Sequence, residues 1–181
     1  MKDINWENVE ELKEFEPIEP GGYIGRIFTA EDNPDKEYIM MSIDIAEGKY
    51  KDHFAKLAVE RGYWALKLYR SYKDSALRMF KAFKSQVEKS NPGYTFNNDE
   101  STLVDKYIGI ILQEEEYIKN DGSVGDRIKI VRTLPVEDIR AGKFKVPEKT
   151  TINREEQKPT TPPADVWGNV DSSDEPTPFN S

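Results

Sequence analysis

The spacing of apolar residues changes several times along this chain, and each change marks an element. Trp6, Val9, Leu12 and Phe15 recur at three-residue steps. That is close enough to 3.6 to form one apolar stripe, and it predicts a short acidic helix over residues 1–16. Pro17, Pro20, Gly21 and Gly22 break it. From Tyr23 the period falls to two. In GYIGRIFTA, Ile24, Phe28 and Ala30 share a side with Arg26, and Tyr23, Gly25, Ile27 and Thr29 share the other. In EYIMMSIDIA, Ile39, Met41, Ile43 and Ile45 face one way, and Tyr38, Met40, Ser42 and Asp44 the other. That alternation predicts a strand with one face in a core. Asn33-Pro34-Asp35 makes a turn between the two segments, which read as a hairpin, and Gly48 ends the second. A third extended segment is expected near His53–Leu57, with a further stretch at Tyr63–Leu68.

A helix comes next. Asp74 or Ser75 stands where a side chain can cap its free N–H groups. Leu77, Phe80, Phe83 and Val87 lie on one face, with Arg78, Lys81, Lys84 and Lys89 largely elsewhere, and Asn91-Pro92-Gly93 stops it. Two more strands follow. YIGIILQ sets Ile108, Ile110 and Leu112 on one face, and DRIKIVRT sets Ile128 and Ile130 opposite Arg127, Lys129 and Val131. Asn120-Asp121-Gly122 between them is a hairpin turn. PVEDIRAG predicts a short final helix.

The order is strand, strand, strand, helix, strand, strand. It predicts a mainly β fold: a five-stranded barrel of the oligonucleotide-binding (OB) type, with its helix between strands three and four. An open α+β sheet satisfies the same order. A ferredoxin-like fold would need a crossover helix between the first two strands, where none is predicted. Gly25 and Gly109, inside strands, suit the sharp coiling of a small barrel or a bulge in a flatter sheet. After Pro147 five prolines fall among Thr, Ser, Asp and Glu, a composition that buries too little surface to offset its ordering entropy. The expected organisation is an acidic helix at 1–16, an OB-like domain at 17–148 and a disordered acidic, proline-rich tail at 149–181.

Composition and charge refine this picture. With 181 residues, 36% of them apolar and 11% aromatic, the chain can build one modest core. No apolar run approaches the ~20 residues that span a bilayer, and the acidic N-terminus predicts no secretory signal. The chain lacks cysteine, which excludes disulfides and thiolate metal sites and fits a reducing cytosol. A net charge of −8 argues against a polyanionic partner until its distribution is considered. Residues 1–20 carry −5 and residues 151–181 carry −4, whereas residues 61–90 hold eight Lys and Arg against two acids, a net of +6. A local basic patch, not the total, governs phosphate binding. The plainer reading of the same lysines is a solvated helix face.

Catalytic sets are scarce. His53 is the only histidine, which leaves zinc without a ligand set and a hydrolase triad without a nucleophile elbow; it reads as a strand or barrel-rim residue. Glu114-Glu115-Glu116 and the Asp32/Asp35 pair read as solvated carboxylates rather than metal ligands. Neither a P-loop nor a dinucleotide fingerprint is present. The expectation is a protein that is not an enzyme and needs no metal or cofactor. One segment carries a mechanism: in RGYWALKLYRSYKDSALRMFKAFK, Tyr63, Trp64, Tyr69 and Tyr72 interleave with Arg61, Lys67, Arg70 and Lys73. Bases stack on aromatic faces for about 1–3 kcal/mol each, and cations neutralise phosphates. The candidate nucleic-acid site is therefore Arg26, Tyr63, Trp64, Lys67, Tyr69, Arg70, Tyr72, Lys73, Arg127 and Lys129. In the alternative, structural reading, Trp64, Leu66 and Leu68 alternate into the core while Tyr63, Lys67, Tyr69 and Lys73 stay outside.

Several stretches carry a resemblance: EPGGYIGRIFTAEDNPDKEYIMMSIDIAEGKYKD, GYWALKLYRSYKDSALRMFKAF, SNPGYTF and ILQEEEYIKNDGSVGDRIKIVRTLPVEDIRAGKFKVPE. Over about residues 17–148 the chain resembles small early-region proteins of bacteriophages and prophages of Gram-positive bacteria, a family without an assigned function. Some of its members are considered single-stranded DNA-binding proteins. DSSDEPTPF, residues 171–179, is similar to the acidic tip of bacterial single-stranded DNA-binding proteins, which recruits replication and repair partners. Asp174, Glu175, Pro178 and Phe179 match that tip; Asn180 and Ser181 follow Phe179 and depart from it. The resemblance implies a sequence-nonspecific single-stranded DNA-binding protein of phage replication or recombination, in the cytoplasm of an infected host. It would dock phage or host proteins through its tail and is compatible with a homo-oligomer. The alternative is a phage protein-binding module that inhibits or recruits a host enzyme.

Overall fold

The computed structural model describes residues 16–152 together with Lys2, Asp3, Asn5 and Glu7. Most of the expected helix at 1–16, and the tail residues Asp174, Glu175, Pro178 and Phe179, lie outside the described residues.

Five strands form one antiparallel sheet: β1 (Gly21–Asn33), β2 (Tyr38–Ile45), β3 (Lys67–Ser71), β4 (Tyr107–Ile118) and β5 (Val124–Leu134), in the spatial order β3-β2-β1-β4-β5. The sheet is open, with β3 and β5 as its edges. Helices α1 (His53–Arg61), α2 (Leu77–Ser90) and α3 (Val136–Arg140) follow β2, β3 and β5 respectively. A 3-10 turn at Asp74–Ala76 leads into α2, and another at Glu100–Leu103 precedes β4.

The core lies on the face that the period-two pattern marked in β2. Ile39, Met41, Ile43 and Ile45 are buried with Ile27, Leu66, Leu68, Ile108, Ile110 and Leu112. Two helices plug this face: Phe54 and Leu57 come from α1, Phe83 and Val87 from α2. Residues buried at this depth contribute roughly 1.5–3 kcal/mol each relative to exposure. A second, smaller apolar layer covers the opposite side of β1 and β4. There a side chain at Gly22 would run into the Phe144 ring, and one at Gly109 into Ile139 of α3. Gly109 is thus a close-approach position. The register shifts fall elsewhere, between Ile27 and Thr29 in β1 and between Ile111 and Leu112 in β4.

Two expectations are corrected. His53–Leu57 is not extended; it opens α1. The cause is tertiary. Asp44, 1% exposed on β2, accepts from the N–H groups of Phe54 at 2.9 Å and Ala55 at 3.1 Å, and from that of Ile45 at 2.8 Å. A carboxylate from a neighbouring strand thereby satisfies the free donors of the first helical turn. Gly62, at φ 75°, closes α1 by donating to the Ala58 carbonyl. The third strand accordingly begins later, at Lys67. The second correction concerns α2: neither Asp74 nor Ser75 makes a side-chain cap, and the 3-10 turn provides the entry instead.

The contacts of the folded unit continue to Thr150. Thr150 donates to the Glu114 carbonyl and accepts from the Glu116 N–H, a parallel bridge against β4 where β1 no longer reaches.

Candidate nucleic-acid interface

The basic aromatic segment does not form one patch. The pleat divides it. Leu68 and Arg70 of β3 face inward, while Lys67 and Tyr69 face out. The register sets Tyr69 opposite Met40 and Lys67 opposite Ser42. Tyr69 is 51% exposed and meets Tyr38 edge-on at 5.5 Å between ring centroids. A second aromatic pair joins β1 to the segment that leads into β3. Trp64 donates its indole N–H to the Ile43 carbonyl at 2.9 Å and stacks on Phe28, centroids 4.6 Å apart and planes 23° apart. Phe28 is 42% exposed, and the Arg26 guanidinium lies 5.9 Å from its ring. Tyr38 to Ile43 is five residues, or about 17 Å of strand. The surface therefore offers two aromatic pairs at its ends, with Lys67 between them and Arg26 at one margin.

Phe28 and Tyr38 belong to this surface and were not among the predicted site residues. Strict alternation put Phe28 with Ile24 and Ala30. Alternation already opposes Phe28 to Ile27, and Phe28 is exposed while Ile27 is buried; the register shift between Ile27 and Thr29 acts beyond it, turning Ala30 onto the core side opposite Met41. Tyr38 had a readable signal, since it alternates with the core residues Ile39 and Met41.

Arg70 is placed elsewhere. Its guanidinium donates to Thr133 Oγ1 at 3.0 Å, spanning from β3 to β5, and sits 5.5 Å from the Phe83 ring. Thr133 donates in turn to Gln86 of α2 at 2.7 Å. Burial pushes the Arg70 pKa down. Tyr72 donates to Asp32 at 2.9 Å and packs edge-on against Phe80; burial first, then this carboxylate, pushes its hydroxyl up. Lys73 is exposed at the start of the 3-10 turn.

Arg127 and Lys129 of β5 both pair with Glu115 of β4, whose side chain is almost fully buried. Burial works to raise the Glu115 pKa, but its bonds to Lys129 and Arg127 outweigh that and hold it low. Glu114 pairs with Lys149, which also holds Asp126 at 2.7 Å. Glu114 and Glu115 are thus ion-paired. Among the described residues no group of three or more His, Asp or Glu is arranged to hold a metal. No described helix is long and apolar enough to cross a membrane.

A groove of about 700 Å³ lies beside the aromatic surface. It brings Tyr63, Trp64 and Arg127 together with Arg61, His53 and Tyr117. Glu16, Glu19, Glu114 and Asp126 also line it, so its walls are aromatic and its charge is mixed. His53 stands at the start of α1, edge-on to Tyr50 and Phe54, and burial pushes its pKa down. Tyr23 of β1 donates to the Glu19 carbonyl at 2.7 Å, and burial with the neighbouring Tyr50 pushes its hydroxyl up to about 12. No protein-family model matches the chain, and no curated protein matches it.

Proposed function

We propose that this chain is a sequence-nonspecific single-stranded nucleic-acid-binding protein of OB type, without enzymatic activity. The observation that carries the reading is the two aromatic contacts, exposed Tyr69 with half-buried Tyr38 and exposed Phe28 with half-buried Trp64, with Lys67 and Arg26 beside them. Stacking tolerates any base because every base has a π face, and the cations neutralise phosphates. The strand order, the helix between β3 and β4, and the Arg70–Thr133 link between the edge strands support the OB assignment. On the resemblance to phage early-region proteins, we read such an activity as one that would serve phage replication or recombination in the bacterial cytoplasm. Residues 171–179 would dock partner proteins there. A gel-shift competition tests this reading: single-stranded oligonucleotide should displace a bound strand far better than duplex of equal length, and no shift at low salt would sink it.

One observation favours a second reading, a protein-binding module. The groove beside Trp64 combines aromatic walls with four carboxylates, which suits a basic peptide better than a phosphate chain. Capture of a host protein that survives nuclease treatment and is lost in Asp126→Lys would favour this second reading.

A further inference from the structure

The +6 segment resolves into two basic surfaces, not one. Arg61 ends α1 and Arg70 turns inward; Lys67 stands on the sheet surface, Lys73 is exposed at the link, and α2 carries the other four cations. At 3.6 residues per turn, Arg78, Lys81 and Lys89 fall with Ala82 on the side of α2 opposite Phe83 and Val87. All four are exposed, whereas Phe83 and Val87 are buried. The stripe runs about 16 Å along the helix. Among the described residues none of its three cations has an ion pair, although Lys84 on the flank is tied to Glu88 and to the Phe96 carbonyl. Arg78 lies in the first turn, where the helix dipole favours acids, and Lys81 is flanked at three-residue spacing by Arg78 and Lys84. A face that served only to solvate the helix would gain stability from acids paired with its cations, and the acid bordering this one, Glu88, is taken by Lys84. Lys73 lies in the chain between this stripe and the Tyr69 surface.

We infer that the outer face of α2 is a second contact surface for the phosphate backbone of the same bound strand. This rests on the reading above and deepens it. Bases stack on the sheet surface, and the continuing strand lays phosphates along Arg78, Lys81 and Lys89. Long strands therefore gain contacts that short ones cannot reach.

The test uses the full chain and a Arg78→Glu, Lys81→Glu, Lys89→Glu triple variant, with the Gln triple as a milder control; circular dichroism checks that each folds. Each is titrated with an oligo-dT of about 8 nucleotides, within the ~4–16 covered by one OB module, and one of about 30, beyond it. For the long strand, the Glu triple should bind roughly tenfold more weakly, and the slope of log K against log salt should shrink by about 2, from three contacts at ~0.7 each. The short strand should bind within twofold of the parent. An unchanged slope with the long strand overturns the inference, as does equal loss for both lengths, which would merge the stripe with the sheet surface. If the parent binds neither strand, the proposed function falls first and this inference with it.

Discussion

Adjacent residues on β3 point opposite ways, and the different roles proposed for them can be measured. Tyr69 is half exposed and Arg70 reaches across to Thr133. Tyr69→Ala should weaken single-strand binding by about 1–3 kcal/mol, one lost base stack, while leaving the urea midpoint nearly unchanged. Arg70→Ala should do the reverse, destabilising the fold by about 1–3 kcal/mol through lost packing on Phe83 and a lost charged hydrogen bond. If Arg70→Ala weakened binding without moving the midpoint, its assignment as a structural cation would be wrong. Asp44 is the other residue with a measurable role. Asp44→Ala leaves the Phe54 and Ala55 N–H groups without their acceptor, and the midpoint should fall by an amount corresponding to about 2–3 kcal/mol.

Among the elements, the β4–β5 hairpin depends on pH. Glu115 pairs with Arg127 and Lys129, and its pKa in the fold is lowered from the usual 4.5. A carboxyl depressed by folding adds stability that is fully present above its unfolded pKa. That stability is lost as pH falls through the lower, folded value. Denaturation midpoints of the parent should therefore drop on acidification below about pH 4.5 more steeply than those of Glu115→Gln. Equal acid sensitivity would remove Glu115 from the account.

Most elements were legible because their residues agree at every level. The strands β1, β2, β4 and β5 alternate, glycines and prolines punctuate them, and α2 shows a clean apolar stripe. Residues 53–57 misled because so short a run fits both periods. Phe54 and Leu57 share a core face in a helix, and the cap that decides the matter comes from Asp44 on another strand. The site was half legible. Aromatic and basic types gave Trp64, Lys67 and Tyr69 as candidates, but the period that Phe28 shares with apolar Ile24 and Ala30 hid its exposure, and no local pattern shows that Arg70 turns inward. Pairing of Arg127 and Lys129 with Glu115 depends on cross-strand register, which no local pattern reveals.

For the whole molecule, a chain of net charge −8 could bind a polyanion only through separated charge, so the proposed binding must be strongly salt-dependent. Trp64 reports on it directly, because a base stacking beside the Phe28–Trp64 pair alters indole emission. The decisive measurement uses a variant in which Trp6 and Trp167 are replaced by Phe, leaving Trp64 as the sole tryptophan. Titration with oligo-dT at low salt should quench its emission saturably, and raising salt from about 50 to 200 mM should weaken the affinity by at least tenfold. Emission unmoved by single strands at low salt, or moved equally by duplex, would contradict the claim that this aromatic surface binds single-stranded nucleic acid.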